Sequence, residues 1–142
     1  DEWMRENQLL EGDRATIAQV ISRKGGEAPV MVSTAPGAPV RQALRLMSLH
    51  DVSQLPVMDG STCIGSVNEH TLSARALDNP KLLDATVGDV MDPPFPMIDI
   101  NTPADNVAKL LSKTNPAVLV QAHGQVQGIV TRGDLLQYLM AK

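Results

Sequence analysis

The stretch Gly128-Ile129-Val130-Thr131-Arg132-Gly133-Asp134 sets a hydroxyl and a carboxylate three residues apart, behind a glycine and an apolar run. A carboxylate can accept charge-assisted hydrogen bonds from both hydroxyls of a cis-diol, as acids of dinucleotide-binding folds do with a ribose. The same spacing also serves structure. Thr-x-x-Asp is a capping box, in which the hydroxyl and the acid satisfy two amides of a starting helix. Thr86/Asp89 and Thr102/Asp105 have the same form. Spacing alone favours the cap for Thr131 and Asp134, and one acid can do both.

Other chemistries find little to work with. No nucleophile–base pair or paired acids stand out, so the chain is not expected to be an enzyme. His50, His70 and His123 have no ligand-like spacing, and Cys63 is the lone cysteine. This argues against a metal site and against an internal disulfide, and fits a reducing cytoplasm. A net charge of −4 and only three aromatics, Trp3, Phe95 and Tyr138, disfavour a nucleic-acid surface. No apolar run reaches the ~18–20 residues of a membrane span, so a soluble protein is expected. The opening Asp1-Glu2-Trp3-Met4-Arg5 has no apolar signal segment and no start methionine, and reads as the start of an excised fragment.

The elements that would position Asp134 occur twice. Setting Leu55–Leu72 against Val118–Leu135 places Gly65 on Gly128, Val67 on Val130, Asn68 on Thr131 and Thr71 on Asp134, an offset of 63 (128 − 65). Pro39 falls on Pro103 at 64, and Thr16–Val20 on Thr86–Val90 at 70, with Arg23–Glu27 read as an inserted loop. Each repeat opens with a short apolar run, Val30–Val32 or Met97–Ile100, read as a strand. A helix with apolar residues at helical spacing follows, Val40–Leu49 or Ala104–Ser112. Two strands come next, joined by turn residues: Leu55–Met58 with Ile64–Val67, and Ala117–Gln121 with Val126–Val130. A last helix closes each repeat, Leu72–Leu77 or Leu135–Met140. Units of ~60 residues bury little surface alone. The fold expected is therefore α+β, two β-α-β-β-α repeats packed as one pseudo-two-fold module.

With glycine, two apolar residues, a hydroxyl, two further residues and an acid, 128–134 resembles the ligand-binding signature of the CBS domain family. Both repeats follow the family pattern, so the resemblance covers nearly the whole chain. It implies a regulatory module binding an adenosine-containing ligand, S-adenosylmethionine or AMP, ADP or ATP, in a cleft between the repeats. Asp134 would hold the ribose hydroxyls, with Thr131 and the amides at Gly133 facing a phosphate or another polar group. The cleft would add Ile129 against the base, Thr16, Gln19 and Ile21 from the start of the first repeat, and Val52, Ser53 and Gln54 before its second strand. Plain core packing is the better account of Val52 and of Ile129, each taken singly; polar Ser53 and Gln54 are more informative. The first repeat departs from the signature, with Asn68 for the hydroxyl and Thr71 for the acid, so one working site is expected.

Asp51–Val57, Asn115–Val120 and the Asp-Glu-Trp-Met-Arg-Glu opening resemble the regulatory tails of bacterial cystathionine β-synthase-type enzymes. That resemblance implies residues 1–15 as a linker from a missing catalytic domain, 16–79 as the first repeat and 80–142 as the second. Pyridoxal phosphate would belong to the missing domain, and no cofactor to this chain. The partners implied are that catalytic domain and a second copy, in a homodimer through helical faces carrying Met47, Leu77, Leu136 and Met140. The competing reading is a ligand-free structural or dimerisation module.

Overall fold

The computed structural model describes residues 15–25, 31–111 and 115–141. The expected linker up to residue 14, Val30, Gly26–Glu27 and Ser112 lie outside the described residues. The chain forms two compact units, Val32–Phe95 and a second that joins the segment ending at Met31 to the segment from Pro96. Each is α+β.

In the Val32–Phe95 unit, α2 (Val40–His50) buries Val40, Ala43 and Met47, the stripe its periodicity dictates. It stops at Asp51, whose left-handed backbone (φ 53°, ψ 47°) directs the Val52 amide back to the Met47 carbonyl at 3.0 Å. Strands β1 (Gln54–Asp59) and β2 (Thr62–Asn68) form an antiparallel hairpin. Next come α3 (Glu69–Asp78), a 3₁₀ turn (Pro80–Asp84) and the short α4 (Val87–Val90). Val40, Ala43, Met47, Leu55, Val57, Val67, Leu72 and Val87 make the core. Of the strand expected at Val30–Val32, Val30 lies outside the described residues, and Met31 and Val32 are not in a strand. A single parallel bridge, Thr34 to Val57, stands in its place, with Thr34 N–H donating to Pro56 O and Met58 N–H to Thr34 O. Met47, expected on an open face, is 1 % exposed.

The second unit opens with α1 (Ile17–Gly25), and the helix runs through the Arg23–Gly25 segment expected as loop. Its first amides find distant acceptors: Ile17 N–H donates to Thr102 O and Ala18 N–H to Ile100 O, both at 2.9 Å. Strand β3 (Met97–Asp99) runs parallel to β4 (Ala117–Ala122), which is antiparallel to β5 (Gln125–Thr131). Helix α5 (Ala104–Leu111) lies between β3 and β4 in the chain, and α6 (Arg132–Met140) closes it. Ile17, Val20 and Ile21 share a core with Val107, Leu111, Val118, Val120, Val130 and Leu135.

The hairpins obey the sequence offset in detail. β1–β2 is irregular after Val57↔Gly65, where Ile64 is skipped, and β4–β5 after Val120↔Gly128, where Gln127 is skipped. A bulge sits at the same place in both repeats. The β4–β5 turn is His123-Gly124, with φ 55° and 75°, the two positive values a tight primed hairpin turn requires. The repeats of sequence and the compact units of structure divide the chain differently. α1 shares its core with β4, β5, α5 and α6, while Val87 of α4 packs with α2 and α3. Among the described residues, no helix is long and apolar enough to cross a membrane.

Candidate functional site

The β5–α6 junction carries the chemistry that the sequence singles out. β5 ends at Thr131, whose extended backbone (φ −102°, ψ 171°) caps α6. Asp134 N–H donates to Thr131 Oγ1 at 3.1 Å, and Thr131 N–H donates to Asp134 Oδ2 at 2.9 Å. The capping box is complete, and it fixes the carboxylate at the helix start, half-buried. A carboxylate has about four lone-pair directions, so the cap, which engages Oδ2, is compatible with further acceptance. Arg132 lays its guanidinium Nε on the Leu111 carbonyl. Gly133 is exposed, and a Cβ there would stand 3.7 Å from Thr131 Oγ1.

Within this unit the fold brings α1 to β5. Ile21, 9 % exposed, places Cδ1 3.8 Å from where a Cβ on Gly128 would be, beside half-buried Ile129. Gln19 is exposed and its Oε1 accepts from Thr16 N–H at 3.1 Å, the reaching-back half of a capping box. Thr16, Gln19, Ile21, Ile129, Thr131, Gly133 and Asp134 therefore belong to one compact unit.

Val52, Ser53 and Gln54 belong to the Val32–Phe95 unit. Gln54 opens β1 opposite Asn68. Val52 and Ser53 line a pocket of about 500 Å³ with Leu44, Met47, Ser48, Asp51, Glu69 and Ser73. Of that lining, Val52 and Ser53 are expected from the family pattern, whereas the other residues come from α2, Asp51 and α3, which only packing unites.

The first repeat's counterpart of the Asp134 junction is a cap alone. Asn68 Oδ1 accepts from Thr71 N–H at 3.1 Å and Thr71 Oγ1 at 3.5 Å, and Glu69 N–H is spent on Ser53 O at 2.8 Å. The β2 edge is paired as well: Ser66 exchanges two backbone bonds with Asp92, and Ser66 Oγ donates to Pro93 O at 2.6 Å. Met91 lies over Gly65 so closely that a Cβ there would meet its Sδ at 2.4 Å. The box expected at Thr86 is not built, since Thr86 makes no side-chain cap bond. α4 spans only four residues, and Ala85 just before it accepts from Val40 N–H at 2.9 Å.

The CBS domain profile matches residues 28–77 and again residues 87–141. The chain belongs to the CBS-domain family. It carries two CBS repeats in tandem, as the offset of 63 implied. CBSX2 of Arabidopsis thaliana, a CBS-pair protein, superposes with a TM-score of 0.73 at 26 % identity, covering 90 % of this chain and 96 % of that one. CBSX2 has also been solved in complex with AMP, with a TM-score of 0.71 at 26 % identity over 89 % of this chain and 96 % of that one. A CBS-domain protein of Burkholderia ambifaria MC40-6 gives 0.80 at 21 % identity, over 90 % and 96 %, a likeness of fold. The uncharacterized protein MJ1232 of Methanocaldococcus jannaschii is 27 % identical over 109 residues, 75 % of this chain and 36 % of that protein. The chain thus spans about a third of this curated relative.

Proposed function

We propose that this CBS pair is a regulatory module that binds an adenosine compound through Asp134, with the ribose hydroxyls on the carboxylate. Thr131, Gly133, Ile129, Thr16, Gln19 and Ile21 belong to the proposed ligand surroundings. The observation that carries the reading is the asymmetry between the two junctions. Asp134 is a carboxylate pinned at a helix start, where the first repeat offers the neutral Thr71 already bonded to Asn68. AMP bound to CBSX2, a relative of the same architecture, supports the ligand class. Val52, Ser53 and Gln54 enter the proposal on the family pattern, and titrations of Ser53→Ala and Gln54→Ala check them.

The finer proposal is the host. Asp51–Val57, Asn115–Val120 and the opening six residues support a cystathionine β-synthase-type catalytic domain joined through residues 1–15, with S-adenosylmethionine as the alternative ligand to AMP. A second reading, a structural module that dimerises without a ligand, draws on the equivalent exposed positions Leu77 (84 %) and Met140 (73 %), 63 residues apart.

Calorimetric titration with AMP, ATP and S-adenosylmethionine tests the site. Asp134→Asn keeps size and capping ability but removes the charged acceptor. It should weaken binding by roughly ten- to a hundredfold, the cost of about 1.5–3 kcal/mol for such bonds. Thr71→Ala should bind like the wild type. Equal affinity for wild type and Asp134→Asn would remove Asp134 from the site, and no heat with any of the three compounds would favour the structural reading.

A further inference from the structure

Helix α1 reaches its unit from far away in the chain. It buries Ile17, Val20 and Ile21 in the core that β4, β5, α5 and α6 build. Yet every other described element of that unit follows Pro96, and the whole Val32–Phe95 unit intervenes in the chain. The seam that seats α1 is a run of three backbone bonds. Ala104 N–H donates to Ala15 O at 2.7 Å, Ile17 N–H to Thr102 O and Ala18 N–H to Ile100 O, the last two at 2.9 Å.

A helix of nine residues is shorter than the ~12–15 at which isolated helices become marginally stable in water. β-Branched Ile17, Val20 and Ile21 lower its propensity further. Off its seat α1 does not hold its own shape, so docking and helix formation are one event. Its departure leaves the ladders of β3, β4 and β5 paired, because all three strands follow Pro96. Contiguous pieces of this kind open separately from global unfolding. The seat belongs to the functional junction: α1 packs on β5 and α6, the two elements that meet at Thr131–Asp134. Ile21 Cδ1 lies 3.8 Å from where a Cβ on Gly128 would stand. Gln19 and Ile21 of the proposed ligand surroundings ride on α1, and Thr16 directly precedes it. A ligand that touches both α1 and Asp134 binds the docked state and shifts the docking equilibrium by its differential affinity.

We infer that α1 is a separately opening element whose seating orders the β5–α6 junction, so that the chain preceding Ala15 is coupled to whatever occupies that junction. The coupling of α1 to the junction stands on packing alone; the ligand's part in it rests on the adenosine reading.

Amide hydrogen exchange of the whole chain, followed by NMR in increasing urea, tests this. The Ile17 and Ala18 amides report the seam. They should share one opening, with a shallow urea slope, with the Thr131 and Asp134 amides. The Leu119 amide of β4 should exchange at least about tenfold more slowly, through an opening of steeper slope. Ala18→Gly lowers helix propensity at a half-buried position. It should speed exchange about fivefold at Ile17, Thr131 and Asp134 alike. Ile17 and Ala18 exchanging with the slope of Leu119 would make α1 an inseparable part of the core and overturn the inference. Unchanged rates at Thr131 and Asp134 beside a faster Ile17 in Ala18→Gly would overturn it too. AMP, titrated into the same protein by calorimetry, should slow Ile17 and Ala18 exchange as it binds. Heat of binding with no change at either amide would refute the coupling and leave Asp134 as the site. No heat would end the adenosine reading, and the urea slopes and Ala18→Gly would still decide the role of α1.

Discussion

Replacing two equivalent glycines should have opposite consequences. Gly65 and Gly128 occupy the same place in the two repeats, directly after the bulged residue and opposite Val57 and Val120 respectively. A Cβ on Gly65 would stand 2.4 Å from Met91 Sδ and 2.9 Å from Asp92 O. The methionine can swing aside, but the carbonyl cannot. Asp92 O accepts from Ser66 N–H at 2.9 Å, Asp92 N–H donates to Ser66 O at 2.8 Å, and Ser66 Oγ holds the next carbonyl, of Pro93. Making room means lifting this segment off β2, at the expense of bonds worth about 1 kcal/mol each. Overpacking alone costs about 1–3 kcal/mol, offset by roughly 0.5–1 kcal/mol from the lower chain entropy of alanine. Gly65→Ala should therefore lose about 2–3 kcal/mol net. A Cβ on Gly128 has only Ile21 Cδ1 at 3.8 Å among the described residues, an ordinary contact. Gly128→Ala should be neutral or up to about 1 kcal/mol more stable, since glycine weakens a strand interior. Urea unfolding followed by circular dichroism measures both, with a common slope required for the comparison. If Gly65→Ala unfolds within about 0.5 kcal/mol of the wild type, or if the two variants fall together, the argument from the Met91–Asp92 contact is wrong.

Two further outcomes follow from other features. The Thr34 hydroxyl is buried with no hydrogen-bond partner among the described residues, so Thr34→Val, which keeps shape and both backbone bonds, should stabilise by about 1 kcal/mol in the same urea assay. Leu77 and Met140 are exposed at equivalent positions of α3 and α6. Sedimentation at tens of micromolar should find a dimer for the wild type and a monomer for Leu77→Glu with Met140→Glu, and a monomeric wild type would end the dimer reading.

Periodicity and caps alone locate most elements of this protein. Val40, Ala43 and Met47 mark α2, alternating and β-branched runs mark the hairpins, and Thr131-x-x-Asp134 announces the cap that α6 builds. These signals are local, because a helix start or a tight turn is satisfied by groups within a few residues. The same locality explains the misreadings. Thr86-x-x-Asp89 has the spacing of a box, yet α4 is too short to use it. Val30–Val32 has strand composition, but a strand also needs a partner edge, and among the described residues of this segment the pairing is a single bridge at Thr34. Met47 belongs to an apolar stripe, and a stripe does not say what covers it; β1 and α3 do. Tertiary structure alone decided that the Thr102 and Ile100 carbonyls receive the first amides of α1, some 80 residues distant in the chain. It likewise made one pocket from Asp51, Ser53 and Glu69. Such long-range pairing is chosen by which surfaces fit when the whole chain closes, and no spacing rule in the sequence encodes it.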